Sequence, residues 1–105
     1  MNMTEHALQL LRDLSDAPGA SGFEDEVVKA ARPYAAAIGE VKEDFLRNLY
    51  IYRKENKGDR PVLLLDAHSD EVGLIVHSIK PNGCLRFLQL GSWNKNALVS
   101  SKVLV

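Results

Sequence analysis

The spacing of apolar residues changes along the chain, from a helical repeat in the first third to a two-residue repeat afterwards. The first segment carries five apolar residues at helical spacing: Ala7, Leu8, Leu10, Leu11 and Leu14. They give one wide apolar face, which is typical of an amphipathic helix. We predict that Thr4 caps this helix and that the turn at residues 16–19 ends it.

A second apolar set at helical spacing follows that turn: Val27, Val28, Ala31, Ala35 and Ile38. It predicts a second helix that runs toward Gly39. Ser21 and Glu24 have the spacing of a capping box at the start of this helix. Pro33 removes a backbone donor, so it should bend or break the helix near its middle.

From residue 41 onward the apolar period is two, which predicts strands. The charged run at residues 53–60, with Gly58-Asp59, predicts a hairpin loop before a strand at residues 62–65. Alternating apolar residues around Pro81-Asn-Gly83 predict a β-hairpin, and residues 102–105 predict a last strand. The predicted fold class is α/β, with two N-terminal helices followed by about five to six mostly hairpin-connected strands.

A histidine and several acids follow the apolar run at residues 62–65. Four consecutive large apolar residues are typical of a strand that is covered on both faces. Open α/β sheets place their ligand sites at the carboxyl ends of such strands. Because side chains two apart share a face of an extended chain, His68 should lie beside Asp66 and Asp70, while Glu71 points away.

This arrangement predicts a metal ligand at His68. A neutral imidazole binds a metal through one nitrogen and donates its other N–H to a carboxylate, which fixes the ring. We therefore predict that His68 is the ligand, that Asp70 orients it, and that Asp66 is the second-choice ligand. The alternative is a hydrogen-bonded structural pair at a strand end, because a lone His-x-Asp is a weak signal.

Two other residues have a structural and a functional interpretation. His77 lies within a predicted strand and is more typical of a surface histidine than of an accessory metal ligand. Trp93 follows a Gly-Ser turn and is predicted to pack the end of a hairpin and not to stack on a substrate.

Four ordered segments resemble motifs of one enzyme family. They are Leu14-Ser-Asp-Ala-Pro-Gly-Ala-Ser-Gly-Phe-Glu24, Asp44-Phe-Leu-Arg-Asn-Leu49, Ala67-His-Ser-Asp-Glu-Val-Gly73 and Gly83-Cys-Leu-Arg-Phe-Leu-Gln-Leu-Gly-Ser-Trp93. With them the chain resembles the start of a glutamyl or deblocking aminopeptidase of the tetrahedral, co-catalytic-metal type, a family whose members sometimes carry an endoglucanase label. Four matches in order are more specific than any one of them.

The resemblance implies an incomplete α/β metallopeptidase domain over residues 1–71 and the start of an inserted β-rich association domain over residues 72–105. In that family the histidine of the third motif binds one of two divalent ions, zinc or cobalt, and the aspartate two residues later supports it. These roles carry over to His68 and Asp70. The implied protein is a homo-oligomer that removes residues from peptide amino termini.

The sequence also departs from the family's pattern. In the resembled family the other metal ligands come later than the position of residue 105. The resemblance therefore implies weak or no metal binding and no hydrolysis by residues 1–105 alone. Arg47 stands where the family usually has glycine, and Ser100-Ser101 stands where a Gly-Gln-type turn is common. Arginine would be costly at residue 47 only if that position needs a positive φ.

Composition further restricts the class of protein that the sequence can encode. The 105 residues are 46% hydrophobic and 26% charged with a net charge of −1, so neither nucleic acid nor an anionic membrane is favoured as a partner. No charged amino-terminal region precedes an apolar run, which predicts a cytoplasmic protein. Cys84 is the single cysteine, which rules out an internal disulfide and a Cys-x-x-Cys zinc site.

Two alternative functions come from other classes. The chain could be a non-catalytic, self-associating fragment of a truncated or split gene, because strands without partners leave edges that pair with another copy. Glycoside hydrolysis needs two carboxyls about 5–10 Å apart across one bond. Asp70 and Glu71 are adjacent and point to opposite faces of a strand, which disfavours that function.

Overall fold

A computed structural model describes residues 2–59 and 61–105, apart from the side chains of Met3 and Lys95. The chain divides into two compact units, Met1–Asp70 and Glu71–Val105. The first unit contains four elements: α1 (Met3–Asp16), α2 (Asp25–Ile38), β1 (Gly39–Glu43) and β2 (Leu49–Arg53). The second contains three: β3 (Gly73–Ile79), β4 (Leu85–Leu90) and a 3₁₀ turn (Lys95–Ala97).

Helix α1 confirms the first predicted helix, and it ends at Asp16 as predicted. Its cap is Asn2, so the prediction of Thr4 is wrong. The Asn2 side chain accepts a hydrogen bond from the Glu5 backbone N–H at 2.9 Å, and the Glu5 carboxylate accepts one from the Asn2 N–H at 3.0 Å. Two backbone donors are satisfied reciprocally in this way, which favours the earlier start.

Helix α2 begins without the predicted capping box. Its N-cap residue, Glu24, makes no side-chain cap bond and instead accepts a hydrogen bond from the Gly22 N–H at 2.6 Å. The Ser21 hydroxyl bonds Asp70, so it is not available to cap the helix. The capping-box prediction is therefore wrong, because both of its side chains have other partners.

Pro33 does not break α2, which continues from Asp25 to Ile38. The helix packs against α1, β1 and β2, and it supplies the buried apolar residues Val27, Val28 and Ala35. Packing on three neighbours outweighs the one backbone hydrogen bond that a proline removes. Of the two predicted effects of Pro33, a bend or a break, the break is wrong for this reason.

Strands β1 and β2 form an antiparallel hairpin with Val41 opposite Ile51. The turn between them holds Asp44, whose N–H donates to the Asn48 carbonyl at 3.2 Å and whose carbonyl accepts from the Arg47 N–H at 3.1 Å. The loop of this hairpin is therefore residues 44–48. The hairpin loop predicted at residues 53–60 is wrong for residues 53–59, because the segment at residues 61–70 is not a strand. Arg60 lies outside the described residues.

The predicted strand at residues 62–65 is wrong. Residues 61–70 have no regular secondary structure, and the side chains of residues 62–65 are 68–85% exposed. A strand covered on both faces needs strands beside it, and the sheets of the described residues are the two separate pairs β1–β2 and β3–β4. The tail strand at residues 102–105 is wrong for the same reason, so the described residues form four strands where five to six were predicted.

In the second unit, β3 and β4 confirm the predicted hairpin around Asn82-Gly83. The Gly83 N–H donates to the Lys80 carbonyl at 2.9 Å. A register shift between Val76 and Ser78 leaves His77 as the extra residue of a bulge. The Trp93 indole N–H donates to the Gly73 carbonyl at 2.8 Å, which confirms that Trp93 packs the end of the hairpin.

The core of the chain is small for its length. The accessible surface is 9215 Å², whereas a compact monomer of this mass exposes about 5,800 Å² and two separate compact bodies of these sizes about 7,000 Å². Large apolar residues are therefore exposed in both units. Within the described part of the chain, neither helix has the length and apolar character of a membrane-spanning segment.

Arg47 has a positive φ, a backbone conformation that is costly for any residue other than glycine. Its φ is 67°, in the left-handed region, and Ser100, the other departure from the family's motifs, has a φ of 65°. The Arg47 guanidinium pairs with Asp25 on α2 and Glu43 on β1. These ion pairs connect the hairpin loop to the helix and offset part of the backbone strain.

Replacing Arg47 by glycine should leave a more stable chain than replacing it by alanine. Both variants lose the same ion pairs, so their difference isolates the backbone, where glycine avoids a penalty of about 1 kcal/mol at positive φ. Urea unfolding of the two variants measures this difference. The control pair is the parent chain and Ala36→Gly, in α2, where glycine should instead destabilise by about 1 kcal/mol. Equal stability of the two variants at residue 47 would contradict the strain.

Candidate metal-ligand site

His68 and Asp70 form a hydrogen-bonded pair in the irregular segment at residues 61–70. The His68 Nδ1 atom lies 3.0 Å from the Asp70 backbone carbonyl oxygen and 3.1 Å from the Asp70 Oδ1 atom. Both neighbours are acceptors, so Nδ1 must carry the proton in the neutral ring. The lone pair is then on Nε2, and the imidazole is 86% exposed.

The second carboxylate oxygen of Asp70 has a partner of its own. The Ser21 hydroxyl donates to Asp70 Oδ2 at 2.5 Å. This bond is the largest cause that lowers the pKa of the Asp70 carboxyl below its ordinary value, and the His68 bond adds to it. Asp70 is therefore a carboxylate at neutral pH, with one oxygen bonded to each neighbour.

The remaining predicted residues do not join this pair. Asp66 is exposed, and within residues 2–59 and 61–105 no three histidine, cysteine, aspartate or glutamate side chains cluster as a metal site would require. His77 is exposed in its strand. The structure thus brings His68 and Asp70 together and leaves Asp66 apart, and the ligand roles of all three stay predictions.

Sequence reasoning missed Ser21. The sequence predicts a turn at residues 16–19 and a capping box at Ser21, and Ser21 lies 49 residues before its partner Asp70. The one available signal was a hydroxyl within a motif-like loop, which does not indicate a particular partner.

His6 has an ordinary structural environment, because its ring packs on the ring of Tyr34 with the centroids 5.4 Å apart.

Several known proteins that are similar to this chain belong to the class of aminopeptidases. The family model described as M42 glutamyl aminopeptidase matches residues 48–105. The chain belongs to this family. A lysyl aminopeptidase of Pyrococcus furiosus is 32% identical over 90% of the chain, and a glutamyl aminopeptidase of Lactococcus lactis is 32% identical over 80%.

A solved structure extends the comparison from sequence to fold. The crystal structure of a TET aminopeptidase from the marine sediment archaeon Thaumarchaeota archaeon SCGC AB-539-E09 matches 92% of the chain with a TM-score of 0.80 and 38% identity. The chain covers 27% of that protein, 27% of the Pyrococcus enzyme and 24% of the Lactococcus enzyme. It therefore spans about a quarter of the length of the relatives that it matches.

Proposed function

We propose that the chain is the N-terminal portion of a metal-dependent aminopeptidase that hydrolyses peptide amino termini. Its membership of the M42 glutamyl aminopeptidase family supports the reaction class. We assign residues 1–71 to the catalytic domain and residues 72–105 to an inserted β-rich association domain. The division of the structure between residues 70 and 71 supports this assignment.

The observation that carries the proposal is the bonding of the His68 imidazole. Nδ1 is engaged by Asp70, so Nε2 is the atom that binds a divalent ion. The Asp70 carboxylate holds the orientation of the ring, while Asp66 is the second-choice ligand. When bound, divalent ions supply Lewis-acid polarisation of the scissile carbonyl and activation of water.

One histidine ligand fits such a site but does not complete it. A dinuclear centre needs several protein ligands for each ion, and the described residues gather no cluster of three. The 105 residues should therefore bind zinc or cobalt weakly and hydrolyse nothing by themselves. In the complete protein we propose two such ions, a peptide substrate, a cytoplasmic location and a homo-oligomeric assembly.

Calorimetric titration of the chain with Zn²⁺ and with Co²⁺ tests the ligand. Weak binding is expected in the parent chain and no measurable binding in His68→Ala, because that change removes the Nε2 donor. The chain offers two matched controls, His6→Ala and His77→Ala, since it contains three histidines. Both controls should bind as the parent does.

Two outcomes would contradict this proposal. The ligand assignment fails if the parent chain binds neither ion, or if His68→Ala binds as tightly as the parent. The claim of inactivity fails if the chain releases a chromophore from an aminoacyl substrate and a chelator stops that release.

A self-associating fragment is the second candidate function, and exposed apolar surface favours it. Residues 62–65 are mostly exposed, and so are Ile79, Val103 and Leu104. A segment that belongs to neither strand pair of the described residues and has exposed apolar side chains is suited to pairing with another copy. Glycoside hydrolysis receives no support, because the matching family and relatives are aminopeptidases.

A further inference from the structure

The loop at residues 17–22 is held in one place by several contacts. Gly19 is buried, and a Cβ atom added to it would lie 2.4 Å from Val27 Cγ2 and 3.6 Å from the Ser69 carbonyl oxygen. The loop therefore runs directly against the core residue Val27 and against the segment that carries His68. A side chain at residue 19 would clash with Val27, so glycine allows this close approach of the loop to the core.

The next residues turn the loop so that Ser21 faces this segment. The Phe23 N–H donates to the Ala20 carbonyl at 2.8 Å, which closes a tight turn around Ser21 and Gly22. Gly22 has a φ of 87°, which a residue with a side chain adopts only with strain. Close packing, a hydrogen-bonded turn and a left-handed glycine thus fix the backbone on both sides of Ser21.

From this position Ser21 begins a chain of hydrogen bonds that ends at the imidazole. Its hydroxyl donates to Asp70 Oδ2 at 2.5 Å, and Asp70 Oδ1 accepts from His68 Nδ1 at 3.1 Å. The Asp70 side chain is 40% exposed, so burial alone does not fix its orientation. Two donors on opposite oxygens restrict the carboxylate to one orientation.

We propose that Ser21 is a positioning residue, which holds the Asp70 carboxylate so that the carboxylate keeps the His68 proton on Nδ1 and leaves Nε2 free for a metal ion. The part of this proposal that concerns the metal rests on the proposed function. The part that concerns the tautomer rests on the hydrogen bonds alone. Ser21, which lies outside the irregular segment at residues 61–70, thereby sets the tautomer of His68 within it.

Nitrogen-15 NMR of the histidine side chains tests the tautomer without any metal. In the parent chain at a pH where the ring is neutral, His68 should be mainly in the Nδ1–H form. Ser21→Ala should shift it toward the mixture of tautomers found in free histidine, because the carboxylate is the stronger of the two acceptors at Nδ1. Ser21→Thr keeps the hydroxyl and should retain the parent tautomer. Ser15→Ala, on the exposed side of α1, is the matched control and should change nothing.

Calorimetry with Co²⁺ on the same variants gives a second measurement. Losing a residue that supports a metal-bound histidine weakens binding by about tenfold, so Ser21→Ala should bind about tenfold more weakly than the parent and Ser21→Thr equally well. An unchanged His68 tautomer in Ser21→Ala would overturn the positioning role. A tautomer that shifts as expected in a chain that binds no Co²⁺ would uphold the role of Ser21 and refute the proposed ligand.

Discussion

We expect the chain to self-associate at high concentration and to stay monomeric there when Leu63 and Leu64 are both replaced by glutamate. These side chains are 82% and 80% exposed, and they lie in a segment whose backbone has no strand beside it. Burying one such side chain stabilises by about 1.5–3 kcal/mol, so two copies gain several such increments by pairing this segment. Two buried carboxylates would cost more than that gain.

Sedimentation velocity across a wide range of concentrations measures this effect. The control is Phe45→Glu with Leu46→Glu, which makes the same change in charge at two exposed apolar residues. The backbone around them is already bonded within the hairpin turn, so that variant should still associate. A parent chain that is monomeric throughout would refute self-association. Equal association of both variants would refute the role of residues 62–65.

Elements that depend on local contacts were predictable from the sequence. Both helices follow from apolar spacing, and the β3–β4 hairpin follows from Asn82-Gly83 because that turn constrains its own strands. The strand predicted at residues 62–65 does not form, and the sequence could not show this, since an apolar run becomes a strand only where other strands bond its backbone. The described residues supply none there.

The same distinction applies to the candidate site. His68 and Asp70 are two residues apart, so their contact could be predicted from spacing alone. Ser21 reaches Asp70 across 49 residues, and its sequence context indicated a helix cap instead. Arg47 shows a third case, in which the sequence raised a positive φ only as a condition and the structure gives a φ of 67° at that residue.

Replacing Asp44 by alanine is expected to open the β1–β2 hairpin. Asp44 Oδ1 accepts hydrogen bonds from the backbone N–H groups of Leu46 and Asn48, at 2.9 and 3.0 Å. Its Oδ2 accepts from the Asn48 amide at 2.9 Å and from the Tyr50 hydroxyl at 3.1 Å. One carboxylate therefore organises the whole turn, and its loss should reduce the amide-exchange protection of β1 and β2 by about tenfold.

The charge of Asp44 gives this hairpin a dependence on pH with a definite sign. The bond from the Asn48 side chain is the largest cause that lowers the pKa of Asp44 below its ordinary value of 3.8. A carboxyl whose pKa is lower in the folded state stabilises that state above the ordinary pKa, and this contribution is lost as the pH falls through the lowered value. Amide exchange and NMR at decreasing pH should therefore show the hairpin opening below pH 3.8.

Two variants distinguish the effect of Asp44 on the turn from the effect of acid on other carboxylates. Asp44→Asn keeps one carbonyl oxygen for the two backbone donors but presents an amide to Asn48 and Tyr50, so its protection should fall between the parent and Asp44→Ala. Asp59→Ala removes an exposed aspartate from the loop after β2 and should leave both protection and acid dependence unchanged. If Asp44→Ala opened at the same low pH as the parent, the acid dependence would belong to other carboxylates. Because Asn48, Tyr50 and two backbone donors converge on this one side chain, we expect that result not to occur.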